Sequence, residues 1–253
     1  MIEALSEGKG LVIPNISRRF GAADMLKESR DKAVIISLFY YFGILTLAGY
    51  AGFNKLLLKI PNLVSRSLYV EQLQDLYITS SSDKDAVMAV TDALFLNGDL
   101  QPAVDFIETR LFPVLSNRDY RWSNELAIKV IFMTVLFDDR VYMMVSETEV
   151  DHAYADLSFI ARPDMRRFNP LDLVLEFKYV SLKELGMTGL DVKAKSSEEL
   201  MTLPLVASKL DEAEEQACRY GDTLKTRYGL TSITRFAIVA LGLERVVYRE
   251  VKG

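Results

Sequence analysis

Cysteine and histidine are nearly missing from this chain: Cys218 and His152 are the single examples in 253 residues. One cysteine excludes an intrachain disulfide framework and a cysteine-based zinc site, and it fits a reducing compartment such as the cytoplasm. One histidine excludes a multi-histidine metal centre. A positive excess is also lacking, since the formal net charge is −5. Coating of nucleic acid by charge alone is therefore not expected. A nuclease is not excluded by that balance, because a bound metal ion supplies local positive charge. No Gly-x-x-x-x-Gly-Lys-Ser/Thr occurs, and Gly8-Lys9-Gly10 is no phosphate loop. The start, Met1-Ile2-Glu3-Ala4-Leu5, lacks the basic and apolar blocks of a secretory signal.

One long uncharged run exists, from Ala33 to Phe53. By length it could cross a bilayer. It carries Ser37, Thr46, three tyrosines and three glycines, and Leu47-Ala48-Gly49-Tyr50-Ala51-Gly52 reads as a helix stop. The reading is a buried helix over Asp31 to Ala48 and no membrane span. Lys59-Ile60-Pro61-Asn62 breaks the chain. Further helices are predicted over Leu63 to Tyr77, Asp83 to Leu96 and Gln101 to Leu115, the last two split by Asn97-Gly98-Asp99.

After Ser116 the pattern changes. Ser123 can cap a helix from about Asn124 to Phe137. Val141 to Val150, Tyr154 to Ala161 and Leu171 to Val180 read as strands close enough for hairpins, so a mixed sheet is expected. Gly186 to Pro204 looks like a polar insertion without periodicity. A charged helix over Ala207 to Tyr228 and strands over Ser232 to Leu241 and Arg245 to Val251 complete the chain. The fold class is α/β, with a helical region over 1–115 and an α/β domain with a mixed sheet flanked by helices over 116–253.

Among the charges inside these strands, Asp156, Glu176 and Lys178 carry the most information. Buried acids and a lysine are a costly way to build a core unless they do chemistry. Residues two apart share a strand face. Glu176 and Lys178 therefore point together, as do Asp156 and Ser158, and pairing of the two strands would bring Asp156 and Glu176 to one ion. Magnesium takes oxygen ligands, commonly one or two carboxylates with waters and a substrate phosphate. A lysine beside it can orient the water and steady the developing charge. The competing reading is a cross-strand salt-bridge cluster at a sheet edge.

Asp156 followed by Glu176-Phe177-Lys178 resembles the PD-(D/E)XK nuclease superfamily. The likeness is to a bacterial subfamily in which the nuclease domain follows an AAA-like ATPase domain and a helical connector. Leu38-Phe39-Tyr40-Tyr41-Phe42-Gly43-Ile44-Leu45-Thr46 and Ile60-Pro61-Asn62-Leu63-Val64 are similar to its connector, and Glu215-Gln216-Ala217-Cys218-Arg219-Tyr220 to its Gln-x-x-x-Tyr helix. The resemblance implies a restriction-endonuclease-like core and a Mg2+ or Mn2+ site formed by Asp156, Glu176, the Phe177 carbonyl and Glu125. It implies Lys178 as the residue that positions or activates water, with Gln216 and Tyr220 orienting the lysine or substrate. Two features depart from the subfamily. Its Gly-Arg pair before the Asp is replaced by Asp151-His152-Ala153-Tyr154-Ala155, and the ATPase half is absent.

The expected function is metal-dependent hydrolysis of phosphodiesters. Nucleic acid, DNA ahead of RNA, is the expected partner; an AAA-like ATPase domain and a homodimer are further candidates. A non-catalytic module that keeps the nuclease fold is the alternative, and a scaffold docking on an ATPase is a third reading. Glu125 has a plain reading as an acid favoured at a helix start, and Gln216 as a solvated helix residue. Glu147 and Glu149 could approach the metal or guard an edge strand. Arg162, Arg166, Arg167 and Lys183 could contact phosphates or belong to an ordinary hairpin loop.

Overall fold

The computed structural model describes residues 11–16, 36–37, 40, 45–51, 55–59, 74, 77–78, 80–114, 125–145 and 156–251. The chain forms two units, 1–72 and 73–253.

In the first unit β1 (Leu11–Ile13), β2 (Thr46–Tyr50) and β3 (Leu56–Lys59) pair antiparallel in the order β1-β3-β2. Ile13, Ile36, Leu45 and Leu58 form its buried cluster. This corrects the expectation of an all-helical region. Ile36, Ser37 and Tyr40 are helical, but Thr46 to Ala48 are strand. An uncharged apolar run carries no period that separates buried helix from buried strand. The register slips between Leu47 and Gly49, and Gly49 takes φ +137°, a conformation that disfavours any side chain. Of the helix expected over Leu63 to Tyr77, Gln74 and Tyr77 are helical and the rest lies outside the described residues, as do Ser123, Glu147, Glu149 and His152.

The boundary also differs from the one expected near 115, because two predicted helices belong to the second unit. These are α1 (Ser81–Asn97) and α2 (Gln101–Phe106), the latter running into a π-helical turn at Ile107–Leu111. Ser80 caps α1 by accepting from the Asp83 amide, and Gly98 ends it at φ 72°. Next come α3 (Glu125–Leu136), β4 (Tyr142–Val145), β5 (Leu157–Ala161) and β6 (Leu173–Val180). α4 (Leu182–Leu185) follows β6, and the stretch expected to lack periodicity, Gly186 to Pro204, holds two more short helices, α5 (Gly189–Lys193) and α6 (Ser197–Met201). Each opens on a reciprocal capping box: Ser181 with Glu184, Thr188 with Asp191 and Ser196 with Glu199. Then follow α7 (Pro204–Tyr228), β7 (Thr234–Leu241) and β8 (Arg245–Val251).

The five strands stand in the order β4-β5-β6-β7-β8. Neighbours are antiparallel except β6 and β7, which are parallel and joined through α4 to α7. The sheet is mixed, as the hairpin spacing implied. Both faces are covered. Leu173, Leu175 and Phe177 of β6 pack with α1, α2 and α3. Val174 and Val180, on the opposite face, pack with residues of α7. Buried residues of α7 recur at Val206, Leu210, Ala213, Ala217, Gly221 and Leu224, the helical period that lays one face on a sheet.

Candidate active site

The candidate site lies where β5 parts from β6. Their ladder pairs Leu157 with Leu175 and Phe159 with Leu173. One step further, Asp156 stands opposite Glu176. Like charges directly across a ladder repel, so this pair is held by other contacts. Two of them form a reciprocal clasp: the Phe177 amide donates to Asp156 Oδ2 at 2.9 Å, and the Asp156 amide donates to Glu176 Oε2 at 3.3 Å. In a strand, the amide and carbonyl of one residue point toward the same neighbour. The Phe177 carbonyl therefore opens on the Asp156 edge as well.

Lys178 follows Glu176 on the same face. Glu176 is 2% exposed and Lys178 7%. The lysine Nζ lies 3.5 Å from Glu176 Oε1 and donates to Gln216 Oε1 at 2.7 Å. Gln216 comes from α7, whose packing on β6 fixes that contact; it is half-buried, not a solvated helix residue. Glu125, in the first turn of α3, places Oε2 4.0 Å from the same Nζ. Tyr220 lies one turn beyond Gln216 and packs with Val174, Ala217, Leu224 and Ile233. Sequence reasoning thus finds five groups that meet: Asp156, Glu176, Lys178, Gln216 and Glu125.

It misses a sixth. Lys129 of α3 is 8% exposed, and its Nζ lies 3.6 Å from Asp156 Oδ1. The signal was present, since Lys129 is the sole charge between Glu125 and Asp138 in an apolar helix. Glu125 and Lys129 are four apart and share a helix face. The hairpin arginines divide differently. Arg166 pairs with both oxygens of buried Asp172, which also accepts the Ala161 amide, so this arginine closes the β5–β6 hairpin. Arg162 reaches Asp164 and the Asp139 carbonyl.

Burial and the facing Asp156 push the Glu176 carboxyl up to about 8, against the pull of Lys178 and the Asp156 amide. Burial also raises Glu125, helped by Asp156 and Glu212 and opposed by Lys178 and Lys209. For Lys178 burial acts downward, but Glu176, Glu125, Asp156 and Glu212 outweigh it and hold the ammonium above its ordinary range. Lys178 is thus a stable cation.

Among the described residues, no group of three or more His, Cys, Asp or Glu side chains could hold a metal ion. Magnesium does not require three, because one or two carboxylates with waters and substrate oxygen suffice. Asp156 and Glu176 supply two facing carboxylates, and the Phe177 carbonyl supplies a third hard oxygen on the same edge. Ser158, two residues along from Asp156, keeps a buried hydroxyl with no hydrogen-bond partner. The acids are also each met by a lysine, Asp156 by Lys129 and Glu176 by Lys178, so a salt-bridge cluster and a cation site share the same groups. No helix among the described residues is long and apolar enough to cross a membrane. No family model, no curated protein and no solved structure matches this chain.

Proposed function

We propose that this chain is a metal-dependent nuclease, hydrolysing phosphodiester bonds in DNA or RNA on a PD-(D/E)XK-type core. One observation carries the reading: two opposed carboxylates and a buried, glutamine-held ammonium meet at the point where β5 leaves β6. Asp156 and Glu176 would hold Mg2+ or Mn2+, with the Phe177 carbonyl beside them. When bound, such an ion polarises a phosphate oxygen and acidifies water.

The rest of the chemistry belongs to the chain. Lys178 stays protonated, so it does not act as a base. It orients the attacking water and offsets the negative charge that builds on phosphorus-bound oxygens. Gln216 fixes the ammonium through its amide oxygen and Glu176 takes a second, longer contact, which leaves a further donor to turn toward substrate. Glu125, already raised by burial, is the carboxylate nearest Lys178 on the α3 side and the candidate acceptor of a proton from water. Tyr220 supports α7 on Val174.

A second reading, an interaction module on the same fold, draws on the Lys129–Asp156 ion pair, which neutralises part of the acid charge from within. A cleavage assay on mixed nucleic acids with Mg2+ or Mn2+ separates the two. A nuclease cleaves in wild type and loses at least about a hundredfold in Lys178→Ala and Asp156→Ala. Activity unchanged by both substitutions dismisses the site, and an inactive wild type favours the module.

A further inference from the structure

Lys129 has no role in the site as read above, yet it is one of two lysines buried there. Burying an ammonium is costly unless an anion neutralises it. One anion beside it is the Asp156 carboxylate, whose two oxygens are used differently: Oδ2 accepts the Phe177 amide, and Oδ1 faces Lys129 Nζ at 3.6 Å. That separation exceeds an ordinary charge-assisted hydrogen bond. The pair is an electrostatic contact rather than a short hydrogen bond. The two buried lysines therefore divide the acids between them, Lys129 beside Asp156 and Lys178 beside Glu176.

We propose that Lys129 is a positioning residue that sets the cation affinity of this centre. It stands in for the divalent ion at Asp156 when none is bound and weakens binding when one arrives. The inference rests on the metal-site reading of Asp156 and Glu176. The charges of this centre favour the effect. Glu125, Asp156 and Glu176 carry three negative charges when ionised, and Lys129 and Lys178 carry two positive ones. A divalent ion added to that set leaves the centre with a positive charge. A phosphodiester anion restores the balance, so ion and nucleic acid bind best together, and by linkage each strengthens the other. A centre without Lys129 would hold its ion tightly with no substrate present. With Lys129, occupancy follows the arrival of the phosphate.

The test is Mn2+ binding to the full chain without nucleic acid, by titration calorimetry, comparing wild type with Lys129→Met and Lys129→Arg. Loss of the ammonium tightens Mn2+ by about tenfold or more, whereas arginine, which keeps the charge, leaves the affinity near wild type. A structural role predicts the reverse, because damage to the centre weakens ion binding. An unchanged or weaker affinity in Lys129→Met, with wild type binding Mn2+, overturns the role of Lys129 and leaves the metal site standing. Absence of Mn2+ binding in wild type and both variants overturns the metal site and this inference together. Should Lys129→Met fail to fold, Lys129→Gln supplies the comparison. Its rise in melting temperature with Mn2+ must then exceed that of wild type, and a smaller rise overturns the proposal.

Discussion

The single residue with the largest environmental effect is Glu176. Its carboxyl ordinarily titrates near 4.5 and here near 8, because it is buried opposite Asp156. Between those values the folded chain keeps a proton that the unfolded chain has shed. Unfolding free energy therefore falls as pH rises from about 4.5 to about 8, by a few kcal/mol in all, and this contribution levels off above that. Chemical denaturation of the ion-free protein at a series of pH values measures the slope. Glu176→Gln, neutral at every pH, is expected to flatten it; a slope equal to wild type would show that the acid titrates normally. Gln216 provides a second residue-scale test. Its amide oxygen is the shortest contact Lys178 makes among those described. Gln216→Ala should lower cleavage about tenfold and leave Mn2+ affinity intact, since it touches the lysine and not the carboxylates. An equal loss in both would place Gln216 at the ion instead.

At the scale of elements, α7 carries the fold and one side of the site. It approaches β6 and β7 through small residues, among them Gly221, where an added Cβ would collide with Arg235 Nε. Arg235 is buried, with its guanidinium tied to Asp222. Gly221→Ala should destabilise the chain by about 1–3 kcal/mol through overpacking. In denaturant titrations it should be strongly non-additive with Arg235→Ala, which removes Cδ and Nε, the atoms in the way. Additive losses would show that the glycine matters for some other reason. The same element shows what could be read in advance. The buried stripe of α7, the hairpin-spaced strands and the bounds of β8 follow from periods of 3.6 and 2.0 that persist over several turns or alternations. Strand alternation also placed Glu176 and Lys178 on one face and Asp156 opposite them. What failed lacked a period. The run around Thr46 to Ala48 is apolar without alternation, and α5 and α6 are too short to repeat. For the latter the legible signal was local: Thr188 and Ser196, each followed three residues later by an acid. Lys129 carries the same signal in a different element, a lone charge inside an apolar helix rather than a strand.

For the whole molecule, the division between Gln72 and Leu73 has a functional corollary. Glu125, Lys129, Asp156, Glu176, Lys178 and Gln216 all belong to the second unit, as do every strand of the five-stranded sheet and every helix from α1 to α7. Among the described residues, the buried cluster around Leu173, Leu175 and Phe177 draws its partners from that unit, and so do the clusters beneath α7. The small sheet of β1 to β3 has its own cluster around Ile13, Ile36, Leu45 and Leu58. A core complete within one segment is the physical condition for independent folding. Residues 73–253 produced alone should therefore unfold cooperatively, with a melting temperature within about 5 °C of the same transition in the full chain. The fragment should bind Mn2+ as the full chain does, because no described contact of the site comes from residues 1–72. A fragment that folds but has lost ion binding would show that the first unit completes the centre. A fragment that fails to fold would show that the second unit needs the first for stability, despite the separation of their cores.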